Sequence, residues 1–185
     1  ILDISADLID GGVLQTTLPA GRWTVLRFGH TSNGNKIKPV SERSTGLEVD
    51  KFSAEALQYH FDHGMLGQVR DRLGPLFGTV FKDVNIDSWE AGCQTWGAKF
   101  PAEFQTRRGY DITKWLPALT GRIVGNLDET ERFLWDYRRT ISDLINENFY
   151  GAFRKILNSH GVLLEAEAPG IGMPIPIDQL QSLGM

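Results

Sequence analysis

Two apolar stripes at helical spacing, each set between short runs rich in β-branched and aromatic residues, constrain this chain more than any other feature of its sequence. Ala54, Leu57, Phe61, Met65, Val69 and Leu73 recur every three or four residues behind Ser53, a competent N-cap, and Gly74-Pro75 ends the run. The second stripe is longer. Asp128 with Glu131 three residues on reads as a capping box, and Leu134, Tyr137, Ile141, Leu144, Ile145, Phe149, Phe153 and Ile156 form the face to be buried behind it. Strands are expected at Arg22–Gly29, Gly46–Asp50, Thr79–Trp89 and Val162–Glu167, with irregular helical structure over Phe104–Leu119 broken at Pro117. Strand, helix, strand, helix, strand is the order of βαβ units and so of a parallel sheet.

An open doubly wound sheet would offer a Gly-rich phosphate loop after its first strand, and neither G-x-G-x-x-G nor G-x-x-x-x-G-K-[ST] occurs. The α/β class expected is therefore a (β/α)8 TIM-type barrel, present in part, since a complete one takes about 250 residues. Residues 1–21, with turn signals at Asp10-Gly11-Gly12 and Pro19-Ala20-Gly21, read as a short β-rich lead-in, and residues 22–185 as the first half of the barrel. The chain opens at Ile1 and stops at Met185 after a loop-like stretch, so both ends read as cuts through a longer protein.

Charge narrows the partners. The 19 Lys and Arg are spread among 23 Asp and Glu, which leaves no basic stripe for a phosphate backbone, and nucleic acid is not expected. No apolar run approaches the ~20 residues needed to span a bilayer, so no membrane partner is expected either. The single Cys93 rules out an internal disulfide and a multi-cysteine zinc site.

Chemistry is expected at strand ends. Strands of a parallel barrel are buried on both faces, yet in Thr79–Trp89 the residues Asp83, Asn85 and Asp87 alternate onto one face. They must line a polar or hydrated interior, or else the strand is an antiparallel edge with one wet face. Glu90 follows at the C-terminal end, where barrel enzymes hold catalytic groups, and Trp89 beside it could supply a flat apolar wall. A carboxyl against such a ring is poorly solvated when charged, which suits it to donate a proton; the plain alternative is a surface glutamate. Glu165 and Glu167 lie two apart on the last strand and project to one side, either as a site that shares a proton or a cation such as calcium, or as a solvated pair. Glycoside hydrolysis needs two such carboxyls flanking a sugar. Trp89, Trp96, Phe100, Phe104, Tyr110 and Trp115 cluster near by and read either as platforms for stacking on the sugar or equally as core, the core reading being preferred for Trp115 and Phe104. His30, after the first strand, is a candidate for a sugar hydroxyl, although a lone histidine is more often structural.

The runs Trp23-Thr24-Val25-Leu26-Arg27-Phe28-Gly29-His30-Thr31, Gly46-Leu47-Glu48-Val49-Asp50-Lys51 and Asp87-Ser88-Trp89-Glu90 resemble glycoside hydrolase family 106, the α-L-rhamnosidases. So do Arg107-Arg108-Gly109-Tyr110-Asp111, Trp115-Leu116-Pro117 and Thr130–Arg138, and the likeness covers nearly the whole chain. The resemblance implies a secreted or periplasmic bacterial enzyme that removes terminal L-rhamnose with inversion, through two glutamates and with calcium. It assigns the general acid to Glu90 and either the second catalytic carboxylate or a calcium ligand to Glu167 and Glu165. Asp50, Asp87, Trp89, His30 and Trp96 become candidates for holding the sugar. Family members carry a further strand segment with a Gly-Glu-Phe-like motif, another candidate for the base, beyond the stretch that ends at Met185. The rival readings are a barrel glycosidase for another sugar and a non-catalytic carbohydrate-binding fragment.

Overall fold

The computed structural model describes residues 1–38, 40–87, 89, 92–167 and 181. Strands β1 (Leu8–Ile9) and β2 (Val13–Leu14) pair antiparallel around the Asp10-Gly11-Gly12 turn, as the turn signal predicts. Gly11 and Gly12 both take positive φ, 79° and 77°, which a two-strand reversal this tight asks of its central residues. Helix α1 (Ala54–His63) starts where the sequence says it should, with the Ser53 hydroxyl accepting from Ala56 N–H at 3.1 Å.

The single helix expected over 53–73 is instead two, α1 and α2 (Met65–Leu73), broken at Gly64. Gly64 sits at ψ −160°, outside the helical region, and a Cβ at Gly67 would run into the carbonyl oxygen of Asp62. The two glycines let the second helix start close over the end of the first. The stripe consequently rotates: Leu57 and Phe61 are buried, whereas Met65 is 73% exposed.

Strand β3 (Asp83–Ile86), helix α3 (Phe100–Arg108), a 3-10 segment Thr113–Thr120 containing Pro117, helix α4 (Leu127–Ile145), a π-helical turn Asn146–Gly151, helix α5 (Ala152–Asn158) and strand β4 (Leu163–Ala166) follow in order. The cap of α4 is Asn126, whose side chain accepts from Glu129 N–H at 3.0 Å, two residues before the expected Asp128. Thr130 reinforces the entry: its hydroxyl takes a bond from Val124 N–H and donates to Val124 O or Asn126 O.

Strands β3 and β4 pair in parallel, Asn85 opposite Glu165 and Ile86 opposite Ala166, with all three helices of the crossover between them in sequence. Val84, Ile86, Leu164 and Ala166 pack onto the core, while Asp83, Asn85, Leu163 and Glu165 face away from it. The core is built mainly by helices and aromatic rings. Phe100, Phe104, Phe133, Ile141, Leu144, Ile145, Tyr150 and Leu157 are essentially inaccessible, and Phe104 meets the Tyr110 ring edge-on at 5.0 Å. No helix of the described residues is long and apolar enough to cross a membrane.

Two expectations about strands need correction. Arg22–Gly29 forms no ladder among the described residues, and Gly46–Asp50 contributes only one antiparallel bridge, Leu47 to Lys36. A barrel wall requires each strand to find a hydrogen-bonding neighbour on both sides. The described ladders are the pairs β1–β2 and β3–β4, so the sheets here are mixed with helices without themselves tracing a partial barrel.

Candidate active site

Two groups of the sequence candidates come together, one in a cleft and one along the parallel strands. The cleft, about 880 Å³, lies between the loop after Phe28, the segment 47–51 and the segment 92–98. His30, Asp50 and Trp96 all line it, the His30 and Trp96 rings 6.3 Å apart and tilted by 38°. Trp96 is backed by Phe100 at 4.9 Å, which holds its ring at the wall.

The side chain of Gln94 joins two of these segments. Its Nε2 donates to Asp50 Oδ1 at 2.6 Å and to Trp96 O at 3.1 Å, and its Oε1 accepts from Lys51 N–H at 2.9 Å. Asp50 Oδ1 also accepts from Phe52 N–H at 2.9 Å. Phe52 O in turn receives Asn148 Nδ2 at 2.8 Å, so the π-helical turn reaches across to fix the same loop.

Lys51 is charged yet only 5% exposed. Its Nζ lies 2.6 Å from Glu48 Oε2 and over the rings of Trp89, at 4.9 Å, and Phe149, at 5.3 Å. Ion pairing and two ring faces offset the cost of removing the ammonium from water. Burial pushes the Cys93 thiol in the same cleft up to about 11, with the Lys51 charge acting weakly the other way.

The second group lies at the ends of β3 and β4. Glu165 is exposed beside its cross-strand neighbour Asn85, and Glu167 N–H donates to Ile86 O at 2.9 Å, one step beyond the ladder. Asp87 and Glu167, both exposed, follow Ile86 and Ala166 at this same end. Trp89 is placed differently from the other candidates. It is 5% exposed, stacked on Tyr150 at 6.1 Å and edge-on to Phe149 at 5.8 Å, so its ring belongs to the core and faces the cleft region only through Lys51. Tyr150 OH donates to Glu167 O at 3.2 Å, tying that stack to the end of β4. Ser88 and Glu90 lie outside the described residues.

Lys51 and Gln94 are site residues that sequence reasoning missed. Lys51 closes the Gly-Leu-Glu-Val-Asp-Lys run, but a lysine beside an aspartate normally reads as a solvated charge. Gln94 gives no local signal, because its partners Asp50 and Lys51 lie more than forty residues away.

Calcium takes 6–8 oxygen ligands. Among the described residues no three Asp, Glu, His or Cys side chains gather closely enough to hold a metal ion.

The cleft thus carries a carboxylate, an imidazole and an indole wall, and comparison with known proteins gives the class. Residues 1–184 match glycoside hydrolase family 106, described as alpha-L-rhamnosidase, and the chain belongs to that family. It is similar to a protein of Formosa agariphila named "Putative beta-glucuronidase", 41% identical over 181 residues that cover 98% of this chain and 15% of that protein. Among solved structures it is similar to a rhamnosidase from Novosphingobium sp. PP1Y, with a TM-score of 0.81 and 31% identity over 98% of this chain and 18% of the other. The chain thus spans less than a fifth of either relative.

Proposed function

We propose that this chain is the first part of the catalytic barrel of a longer, inverting α-L-rhamnosidase. The observation that carries the reading is the cleft, which brings His30, Asp50 and Trp96 to one wall-and-acceptor arrangement fitted to a neutral sugar ring. The family likeness and the parallel β3–β4 pair with its helical crossover support the barrel. In this reading Glu90 protonates the glycosidic oxygen as the bond to the anomeric carbon breaks. A second carboxylate on the opposite face, Glu167 in the first instance, takes a proton from the attacking water; inverting glycosidases in general hold the two carboxyls about 6.5–9.5 Å apart to admit it. Asp87 lines the sugar pocket at the end of β3. Calcium, with Glu165 among its ligands, and a secreted or periplasmic setting rest on the family likeness alone.

The name of the Formosa relative favours a second reading, a glycosidase for an acidic sugar. A glucuronide carboxylate calls for an available cation. Among the described residues lining the cleft the one Lys or Arg is Lys51, already engaged by Glu48 and two rings, which favours the neutral sugar.

The test assays the full-length protein against nitrophenyl α-L-rhamnoside and β-glucuronide, with the product anomer read by NMR. Rhamnoside cleavage giving the inverted anomer is expected, and Glu90→Gln lowers kcat by about 10²–10⁴. Absence of rhamnoside cleavage, or full activity in Glu90→Gln, sinks the proposal.

A further inference from the structure

We infer that Gln94 is a positioning residue for sugar binding: it latches the Asp50 loop to the Trp96 loop and aims the second oxygen of Asp50 into the cleft. This rests on reading the cleft as the sugar site.

The amide orientation is unambiguous. Nε2 faces two acceptors, Asp50 Oδ1 and Trp96 O, and Oε1 faces a donor, Lys51 N–H; a flipped amide would set its oxygen against a carboxylate and a carbonyl. Both amide N–H groups of Gln94 and its carbonyl are thus engaged in holding together two segments that are distant in sequence. With Phe52 N–H and Gln94 both on Oδ1, that oxygen of Asp50 is filled. Oδ2 makes no hydrogen bond among the described residues, and Asp50 lines the cleft as an exposed side chain.

Gly97 keeps the surrounding space open. A Cβ there would fall 3.2 Å from the Phe52 ring, 3.4 Å from Gln94 Nε2 and 3.7 Å from Asp50 Oδ2. A carboxylate with one oxygen clamped and the other open is a rigid acceptor for a sugar hydroxyl, and Trp96, held by the same latch, supplies the adjacent apolar wall. Because the hydrogen bonds of the Gln94 side chain all go to protein atoms, its contribution is made through Asp50 and Trp96.

Kd for L-rhamnose is measured by calorimetry in the full-length protein, with kcat and KM on an aryl rhamnoside, for Gln94→Ala, Asp50→Ala, the double variant and Gln94→Glu. Losing a hydrogen bond to a charged group predicts that Gln94→Ala weakens Kd about tenfold or more, with KM rising in step and kcat little changed. The double variant should be no weaker than Asp50→Ala, because Gln94 has no separate contact to lose. Gln94→Glu sets two carboxylates together. Its affinity should be poor at pH 7 and recover as the pH falls and the pair gains a shared proton, a profile that a merely structural role would not produce. A Gln94→Ala protein that binds within twofold of wild type while Asp50→Ala binds poorly overturns the inference and leaves the cleft reading standing. So does full additivity in the double variant, or a Gln94→Glu affinity that ignores pH. Unchanged affinity in Asp50→Ala overturns both.

Discussion

The Lys51–Glu48 pair makes an asymmetric prediction, because its two members are buried to different depths. The Lys51 side chain is 6% exposed and that of Glu48 32%. Replacing Lys51 by Met keeps the stem packed and removes a charge-assisted bond of about 1.5–3 kcal/mol and a desolvated cation–π contact of about 2 kcal/mol. It also removes an ammonium whose burial itself costs several kcal/mol, and the Glu48 left behind can rehydrate. The net cost expected is about 1 kcal/mol, a fall in melting temperature of roughly 2–4 °C for a chain this size. Glu48→Ala instead leaves the ammonium buried without a counter-charge, at about 3–5 kcal/mol, or at least 6 °C. The double variant should resemble Lys51→Met alone, so the coupling in a double-mutant cycle equals the Glu48→Ala cost, about 3–5 kcal/mol. Urea unfolding followed by far-UV circular dichroism measures all three. If Glu48→Ala costs no more than Lys51→Met, or if the two costs add, the ammonium is not held as described.

Gly67→Ala should destabilise the chain although alanine is the better helix former by about 1 kcal/mol, because the added Cβ meets the Asp62 carbonyl where α1 ends; a rise in urea midpoint would refute this. Cys93 should resist alkylation. With its thiol raised to about 11, its thiolate fraction at pH 8 is below that of a free cysteine by roughly two orders of magnitude, and its iodoacetamide rate should climb steadily with pH until the thiol titrates. A rate at pH 8 equal to that of free cysteine would exclude the buried placement.

How much of this was legible in the sequence depends on how far each residue's partners lie along the chain. The Ser53 cap, the Asp10-Gly11-Gly12 reversal and the strand Asp83–Ile86 follow from neighbours within a few positions, and each lies within the expected span. The long helix was legible as a stripe but not in detail: Phe133 and Leu157 complete its buried face, and the π-helical turn at Asn146–Gly151 shifts the register that a uniform 3.6-residue period assumes. Arg22–Gly29 has strand composition, yet a strand is made by its hydrogen-bonding neighbours, and composition cannot supply them. The site divides the same way. His30, Asp50 and Trp96 could be chosen by residue type, whereas Gln94 and Lys51 acquire roles only when distant loops meet.

Trp89 and Trp96 make the division measurable, since by residue type alone each reads equally as a sugar platform or as a core ring. Trp89 is 5% exposed and carries contacts to Tyr150, Phe149 and Lys51, so Trp89→Ala removes a core ring and should cost about 3–5 kcal/mol of stability. Trp96 is half-buried at the cleft wall with the His30 ring beside it, so Trp96→Ala should cost less stability and more sugar affinity. Phe in place of Trp89 keeps a ring between Tyr150 and Lys51 and should recover much of the loss in stability; Phe in place of Trp96 keeps a stacking face and should recover much of the affinity. Urea midpoints and L-rhamnose affinities of the four variants separate the two roles. If Trp89→Ala left stability intact and abolished sugar binding, the ring would have to leave the Tyr150 stack to meet the sugar, and the core drawn around Lys51 would be wrong.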